Sequence, residues 1–365
     1  MIDKDHPKKG NTVPVHVQNI VTPTLILFRL GGLYSKKRNR SRQIILALLF
    51  HVMYLWIVAF KIFCLSLKLN WGSVSATVVK VIPLSLWWLV RLRMKKILSL
   101  VKKLELFGEE IPDRDCKKVS KLTKTVIIVA TSVIFLHPIF RTLSTLIISE
   151  EVAVCLYHEL YSIGKRNRAI IFLLHELFNN CPDAVITVSI VLFFSFYCYA
   201  LSLALQNKRI SKNQTYLVYE RTLRIFKELE NAFSPLIFLV FSHIVFEFLR
   251  IMFLIAFMLN YDNTTIIYTE FLSFFTQVTL IFLTVLAADK AQVKANDLRV
   301  SLLAFYKTRD AVNSSGEVAT LIEDRKLLRF TAWGIFTIRK PLFLSLSAWL
   351  FAYGVILLQF MKPSS

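Results

Sequence analysis

The sequence predicts an all-α polytopic membrane protein with seven transmembrane helices, its N-terminus cytoplasmic and its C-terminus extracellular. Three observations lead there. Apolar residues make up 55% of the 365 and gather in seven blocks, each of about twenty residues or more, enough to cross a bilayer core as a helix. A content of 30 Phe against 9 Gly is unlike that of a soluble globule. The Lys and Arg residues are also sorted: an inside N-terminus places 36 in cytosolic segments and 5 in outer ones, with 4 inside spans. Such asymmetry orients the chain.

A formal charge of +21 by itself points toward nucleic acid. The basic residues flank apolar spans rather than cover one soluble face, so membrane orientation accounts for them and no nucleic-acid partner is expected.

Residues 1–43 form a polar cytoplasmic segment that closes on Lys36-Lys37-Arg38-Asn39-Arg40-Ser41-Arg42. That basic run is read as an orientation signal with no other role. No cleavable signal peptide is visible, so the first span would direct insertion. Spans are expected over Ile44–Leu65, Trp71–Val90, Thr125–Ile148, Ala184–Ala204, Phe233–Met258, Ile266–Ala288 and Pro341–Phe360. Pro341 suits a first helical turn, where its missing N–H is no loss.

The first inner connector carries Ile97, Val101 and Leu104 on one stripe among Lys95, Lys96, Lys102 and Lys103. It is either a span extension or a helix lying on the anionic inner leaflet, with a calmodulin-like target the weaker reading. The second and third connectors carry stripes of Tyr216, Tyr219, Leu223 and Phe226, and of Leu298, Leu302 and Phe305, which must be buried against something. Residues 310–317 are a flexible loop. The outer loop 149–183 is the long one, with helical character over Glu159–Ile163 and Ala169–Phe178. Cys155 and Cys181 both fall there, either paired or as two free thiols. Asn263 heads the outer sequon but lies close to two spans.

No Gly-rich phosphate loop, no Ser/His/Asp arrangement and no paired metal ligands occur, so neither an enzyme nor a cofactor is expected. Intramembrane polar residues are the remaining clue, because they are costly in lipid and face an interior. They are Lys80, His137, Arg141, Glu247, Arg250, Glu270, Thr276 and Gln277. Five of them have a plainer explanation. Glu247 and Arg250, three apart, can neutralise each other; Arg141 can snorkel; Lys80 can pair with a carboxylate on another helix; His137 can serve the bend at Pro138. Trp71, Tyr268, Phe271 and Phe275 could supply aromatic walls to a small-molecule site, or face lipid.

The last span has one face of Ser345, Ala348, Ala352, Val355 or Ile356, and Gln359. Small residues at helical spacing serve close helix packing. They serve equally a pore lining, with the apolar ring closing it by dewetting.

The residues Phe330-Thr331-Ala332-x-Gly334-x-Phe336-Thr337, then Ala352-Tyr353, five apolar residues and Gln359-Phe360, resemble the insect gustatory receptors. Their signature is Thr-Tyr, five apolar residues, Gln-Phe; Ala352 stands where the family has Thr. The resemblance implies a subunit of a tastant-gated cation channel in the plasma membrane of a sensory dendrite, homotetrameric or assembled with related subunits. It also implies an outer-half ligand pocket within residues 44–290, a cytoplasmic anchor over 291–340 that includes the first half of helix 7, and a pore-lining helix at 341–360. Gln359 and Phe360 would form the outer gate, with Val355 and Ile356 as neighbours. The family's sugar-sensing branch carries Glu after the Tyr, where this chain has Gly354, which favours bitter or other non-sugar ligands over sugars. A G-protein-coupled receptor has the opposite orientation, and a transporter would show internal repeats and broken helices.

Overall fold

The computed structural model describes residues 15–34, 40–67, 71–108, 113–147, 165–207, 215–259, 264–309 and 328–360. These form α1 (Val15–Leu30), α2 (Arg40–Leu67), α3 (Trp71–Gly108), α4 (Asp113–Ile147), α5 (Lys165–Asn207), α6 (Thr215–Leu259), α7 (Thr264–Arg309), β1 (Thr331–Ala332), β2 (Phe336–Thr337) and α8 (Lys340–Phe360). Among the described residues, α2, α4, α5, α6 and α7 are long and apolar enough to cross a membrane, and α8 adds a shorter apolar stretch.

Each expected span lies in one of α2 to α8, but several helices run well past the expected ends. In α3 the stripe Ile97, Val101, Leu104 continues the span and is buried in the core, which decides for an extension. On the other side, α5 starts at Lys165, so the later part of the expected outer loop is helix. The helical character expected over Ala169–Phe178 is met, and Asn179, Asn180, Pro182 and Asp183, which break the apolar pattern beyond it, are accommodated within α5. Residues 310–317, Cys155, Glu159–Ile163 and Asn263 lie outside the described residues.

At the centre stands α5. It is apolar on every side over Ile186–Leu205 and is buried almost throughout, as expected of a helix surrounded by others. The packing around it is aromatic. Phe193 stacks on Phe233 of α6 at 5.4 Å and meets Phe28 of α1 at 5.7 Å, while Tyr197 Oη donates to the Leu100 carbonyl of α3 at 3.2 Å.

Helix α1 adds an element that the reading of 1–43 as a polar segment did not expect. Its Leu25, Leu27 and Phe28 belong to the core. The chain then turns back into α2 through Gly32, whose φ is +69° and where a Cβ would meet the Ala47 nitrogen at 2.6 Å. Only glycine fits such a combination. The turn's carbonyls are taken up by Trp87 Nε1, which donates to Gly31 at 2.8 Å, and by Arg91, which donates to Leu33 at 3.1 Å.

Before α8 comes a small antiparallel hairpin pairing Thr331 with Thr337 and Ala332 with Phe336. Trp333 and Gly334 both take positive φ, as the primed hairpin turns require. Gln292 of α7 fastens it at both ends, accepting from the Phe330 N–H at 2.9 Å and donating to the Ile338 carbonyl at 2.8 Å. Helix α8 then lies at the edge of the bundle against α6 and α7. Leu342, Phe343, Leu346 and Leu350 pack toward the core, and Phe343 meets Phe282 of α7 at 5.9 Å.

Candidate functional site

Ionised side chains cannot remain unpaired at the depth of these helices, and here they pair across them. Lys80 of α3 reaches Asp183 of α5 at 2.5 Å and also donates to the Asn179 carbonyl at 2.6 Å. Tyr54 of α2 donates to the other oxygen of Asp183. A second group lies around Glu270 of α7, which is fully buried. Its carboxylate pairs with Arg141 of α4 and with Arg250 of α6, each at 3.1 Å. Arg141 also meets Glu176 of α5 at 3.3 Å, and Arg250 donates to Glu247 at 2.7 Å. Asn180 Nδ2 donates to Glu176 at 2.7 Å.

The two groups together tie six helices, α2 to α7. Their hydrogen-bonded oxygens and nitrogens are tied to neighbouring helices, so removing one partner leaves another charge exposed to a low dielectric.

Beside these pairs lies a cavity of about 480 Å³ bounded by α3, α4, α5, α6 and α7, within the range of small-molecule sites. Its polar side is formed by Lys80, Asn180, Asp183, His243, Glu247 and Arg250, and its apolar side by residues such as Val129, Val133, Leu192 and Leu280. His137, Thr187, His243 and Gln277 line it too, and each keeps one buried polar atom without a hydrogen-bond partner.

Of the ligand candidates read from the sequence, Lys80, His137, Glu247, Arg250 and Gln277 border this cavity. Arg141 and Glu270 do not; they stand behind it in the ion pairs. Arg141 therefore has carboxylate partners and does not snorkel. Tyr268 and Phe271 are on the outside of α7, Tyr268 at 73% exposure, whereas Phe275 and Thr276 do line the cavity. The Trp71 side chain lies outside the described ones.

Asp183, Glu176 and Tyr54 were not singled out in the sequence. The missing signal was simple charge balance: a mid-span Lys80 needs a carboxylate, and Asp183 stands at the edge of the apolar block Ala184–Ala204. Cys181, one turn of chain away, is a free buried thiol whose S–H is directed at the Ile134 carbonyl at 3.6 Å; Cys155 is not among the described residues.

On α8 the residues Ser345, Ala348, Ala352, Val355, Ile356 and Gln359 are all exposed in the single chain. The side chain of Phe360 is not among those described. Tyr353 leans on Trp349 at 4.4 Å and remains 43% exposed. Gly354, by contrast, is buried, and a Cβ there would come within 2.1 Å of Met252 Cε on α6. Met252 is two residues along α6 from Arg250, so α6 borders both the cavity and α8.

No protein-family model and no curated protein matches the chain. Among solved structures it is similar to the insect olfactory receptor OR5 from Machilis hrabei, with a TM-score of 0.63 and 16% identity, over 95% of this chain and 99% of that chain. The same receptor in complex with eugenol gives a TM-score of 0.58 at 16% identity over the same shares. The chain has the fold of an insect olfactory receptor. At that identity the likeness is one of fold alone.

Proposed function

We propose that this chain is a subunit of a tastant-gated, non-selective cation channel of the plasma membrane, of the gustatory type, with α2 to α8 as its seven spans. The N-terminus lies in the cytoplasm and the C-terminus outside, on the sorting of basic residues. Residues 1–43 are the cytoplasmic N-terminal segment, 291–340 the anchor, and 341–360 the pore helix. Four copies, alone or with related subunits, surround the ion path.

The observation that carries this reading is the free face of α8. It is short, placed at the rim of the bundle, and turns Ser345, Ala348, Ala352, Val355, Ile356 and Gln359 away from its own subunit. Small and hydroxylated residues, then branched aliphatics, then an amide suit a water path with an apolar constriction. In this arrangement Gln359 and Phe360 stand at the outer gate.

The ligand occupies the cavity beside the ion pairs, against Lys80, His137, Glu247, Arg250 and Gln277. The charges that line it balance: Lys80 and Arg250 against Asp183 and Glu247, two of each sign and each already paired. A charged ligand would find no free counter-ion, so the site suits an uncharged one with a few polar groups. Gly354, in place of the sugar branch's Glu, favours a bitter or other non-sugar tastant.

Gating follows from differential affinity: the ligand stabilises whichever arrangement of α6 and α7 fits it better. Two contacts carry a shift of these helices to α8, Met252 against Gly354 and Phe282 against Phe343. The test is calcium influx and current in cells expressing the chain alone, across a panel of uncharged and charged tastants. Ligand-evoked cation current supports the reading. A response that needs a G protein and carries no current through the protein itself contradicts it.

A further inference from the structure

We propose that the lysines of α3 and α4 form a belt that selects monoanionic phospholipid headgroups, of the phosphatidylserine kind, at the basic end of the bundle. The inference rests on the spans crossing a membrane and is independent of what gates the channel.

Along α3 the exposed residues change character in order. Val81, Trp88 and Leu92 are apolar and exposed; Lys95, Lys96 and Lys102 follow, exposed as well. Next in sequence come Glu105, Glu109 and Glu110. Helix α4 repeats the order in reverse: Asp113 and Asp115, then exposed Lys117, Lys118, Lys121 and Lys124, then exposed Ile128, Val129, Phe135 and Ile139. Both stretches of sequence therefore pass from apolar to basic to acidic.

A purely solvated surface gains nothing from this sequence of zones. A membrane edge does: hydrocarbon meets the apolar zone and phosphates meet the lysines. On α4, Lys117, Lys121, Lys124 and Ile128 follow one another at helical spacing on a single stripe, so the basic zone continues directly into the lipid-facing one. None of the seven lysines has a carboxylate partner among the described residues, whereas Lys103 beside them is paired with Glu228 at 2.5 Å. Unpaired lysines next to a span attract anionic lipid. They lie in rows on two helices, not converging on one pocket, which fits many single headgroups better than one polyvalent headgroup.

The test uses the full-length protein reconstituted in phosphatidylcholine vesicles with trace spin-labelled lipid, read as the motionally restricted fraction. Spin-labelled phosphatidylserine should be enriched at the protein over phosphatidylcholine by about fivefold, the worth of one lysine beside an anionic surface, and the preference should fall in high salt. The combined variant Lys95→Gln, Lys96→Gln, Lys121→Gln, Lys124→Gln should lose most of it. The matching Lys→Arg variant keeps the charge and should keep the preference, which separates lost headgroup binding from lost folding. Equal restriction of both lipids overturns the proposal, as does a preference that survives the Gln variant. Selection of a polyphosphoinositide with none for phosphatidylserine overturns it too, because it would assign the lysines to one polyvalent site.

Discussion

Lys80 Nζ lies 2.5 Å from Asp183 Oδ2, and the two side chains are only 6% and 9% exposed. The pair joins α3 to α5 at a depth where neither charge could stand alone. Truncating one member leaves the other buried and unpaired, which costs about 3–5 kcal/mol. Lys80→Ala should therefore unfold in detergent at a markedly lower temperature than the parent. Replacing both, as Lys80→Met with Asp183→Leu, should recover most of the loss, since a well-packed apolar pair can substitute for a buried ion pair. A double variant as unstable as the single one would show that Asp183 is held by Tyr54 and other groups rather than by Lys80.

Glu270 is the branch point of the second group, paired with both Arg141 and Arg250. Glu247 holds only Arg250, three residues away on the same helix. Glu270→Gln should accordingly lower thermal stability more than Glu247→Gln does. A double-mutant cycle of Glu270 with Arg141 should give a coupling of at least about 0.5 kcal/mol, the range for residues in one network. Additive effects would mean that the two groups do not sense each other.

Gln292 satisfies two buried backbone groups, the Phe330 N–H and the Ile338 carbonyl. Gln292→Leu leaves both without partners, at about 1–3 kcal/mol each. Amide exchange at residues 330–338 should accelerate in that variant while exchange in α5 stays slow. Uniform acceleration across the protein would assign Gln292 to the core rather than to the hairpin.

The contact of Gly354 with Met252 predicts a graded series. A single methyl meets only the flexible end of a methionine, so Gly354→Ala should be mild. Gly354→Val should disturb α8, shifting basal current or ligand sensitivity, and Met252→Ala should restore it by making room. Failure of that rescue would remove this contact from the path between cavity and α8.

Much of this architecture could be read from residues alone, and its limits have physical reasons. Seven apolar blocks each lie in a helix, because a span must satisfy its backbone internally. Helix α1 was hidden because Leu25, Leu27 and Phe28, which reach the core, follow a polar approach with Pro23 inside the helix. The start of α5 was legible over Ala169–Phe178, but its continuation into the next span was not. Asn180 and Asp183 look like loop residues until Lys80, 103 positions earlier, is brought beside Asp183 and Arg141 beside Glu176. Pairing at that sequence distance leaves no local periodicity. Residue type likewise does not separate Phe275, which lines the cavity, from Tyr268 and Phe271, which do not; all three are exposed aromatic residues of α7 and differ in their position along it.

The central claim is that the free face of α8 lines a water-filled path. Cysteine placed singly at Ala348, Ala352 and Val355 should react with a small, charged, water-soluble thiol reagent applied during current recording. Each modification should change the cation current, while the parent protein, with its native cysteines, stays unaffected. If the same cysteines remain unreactive in open channels, or react without altering current, α8 faces lipid and the channel account fails.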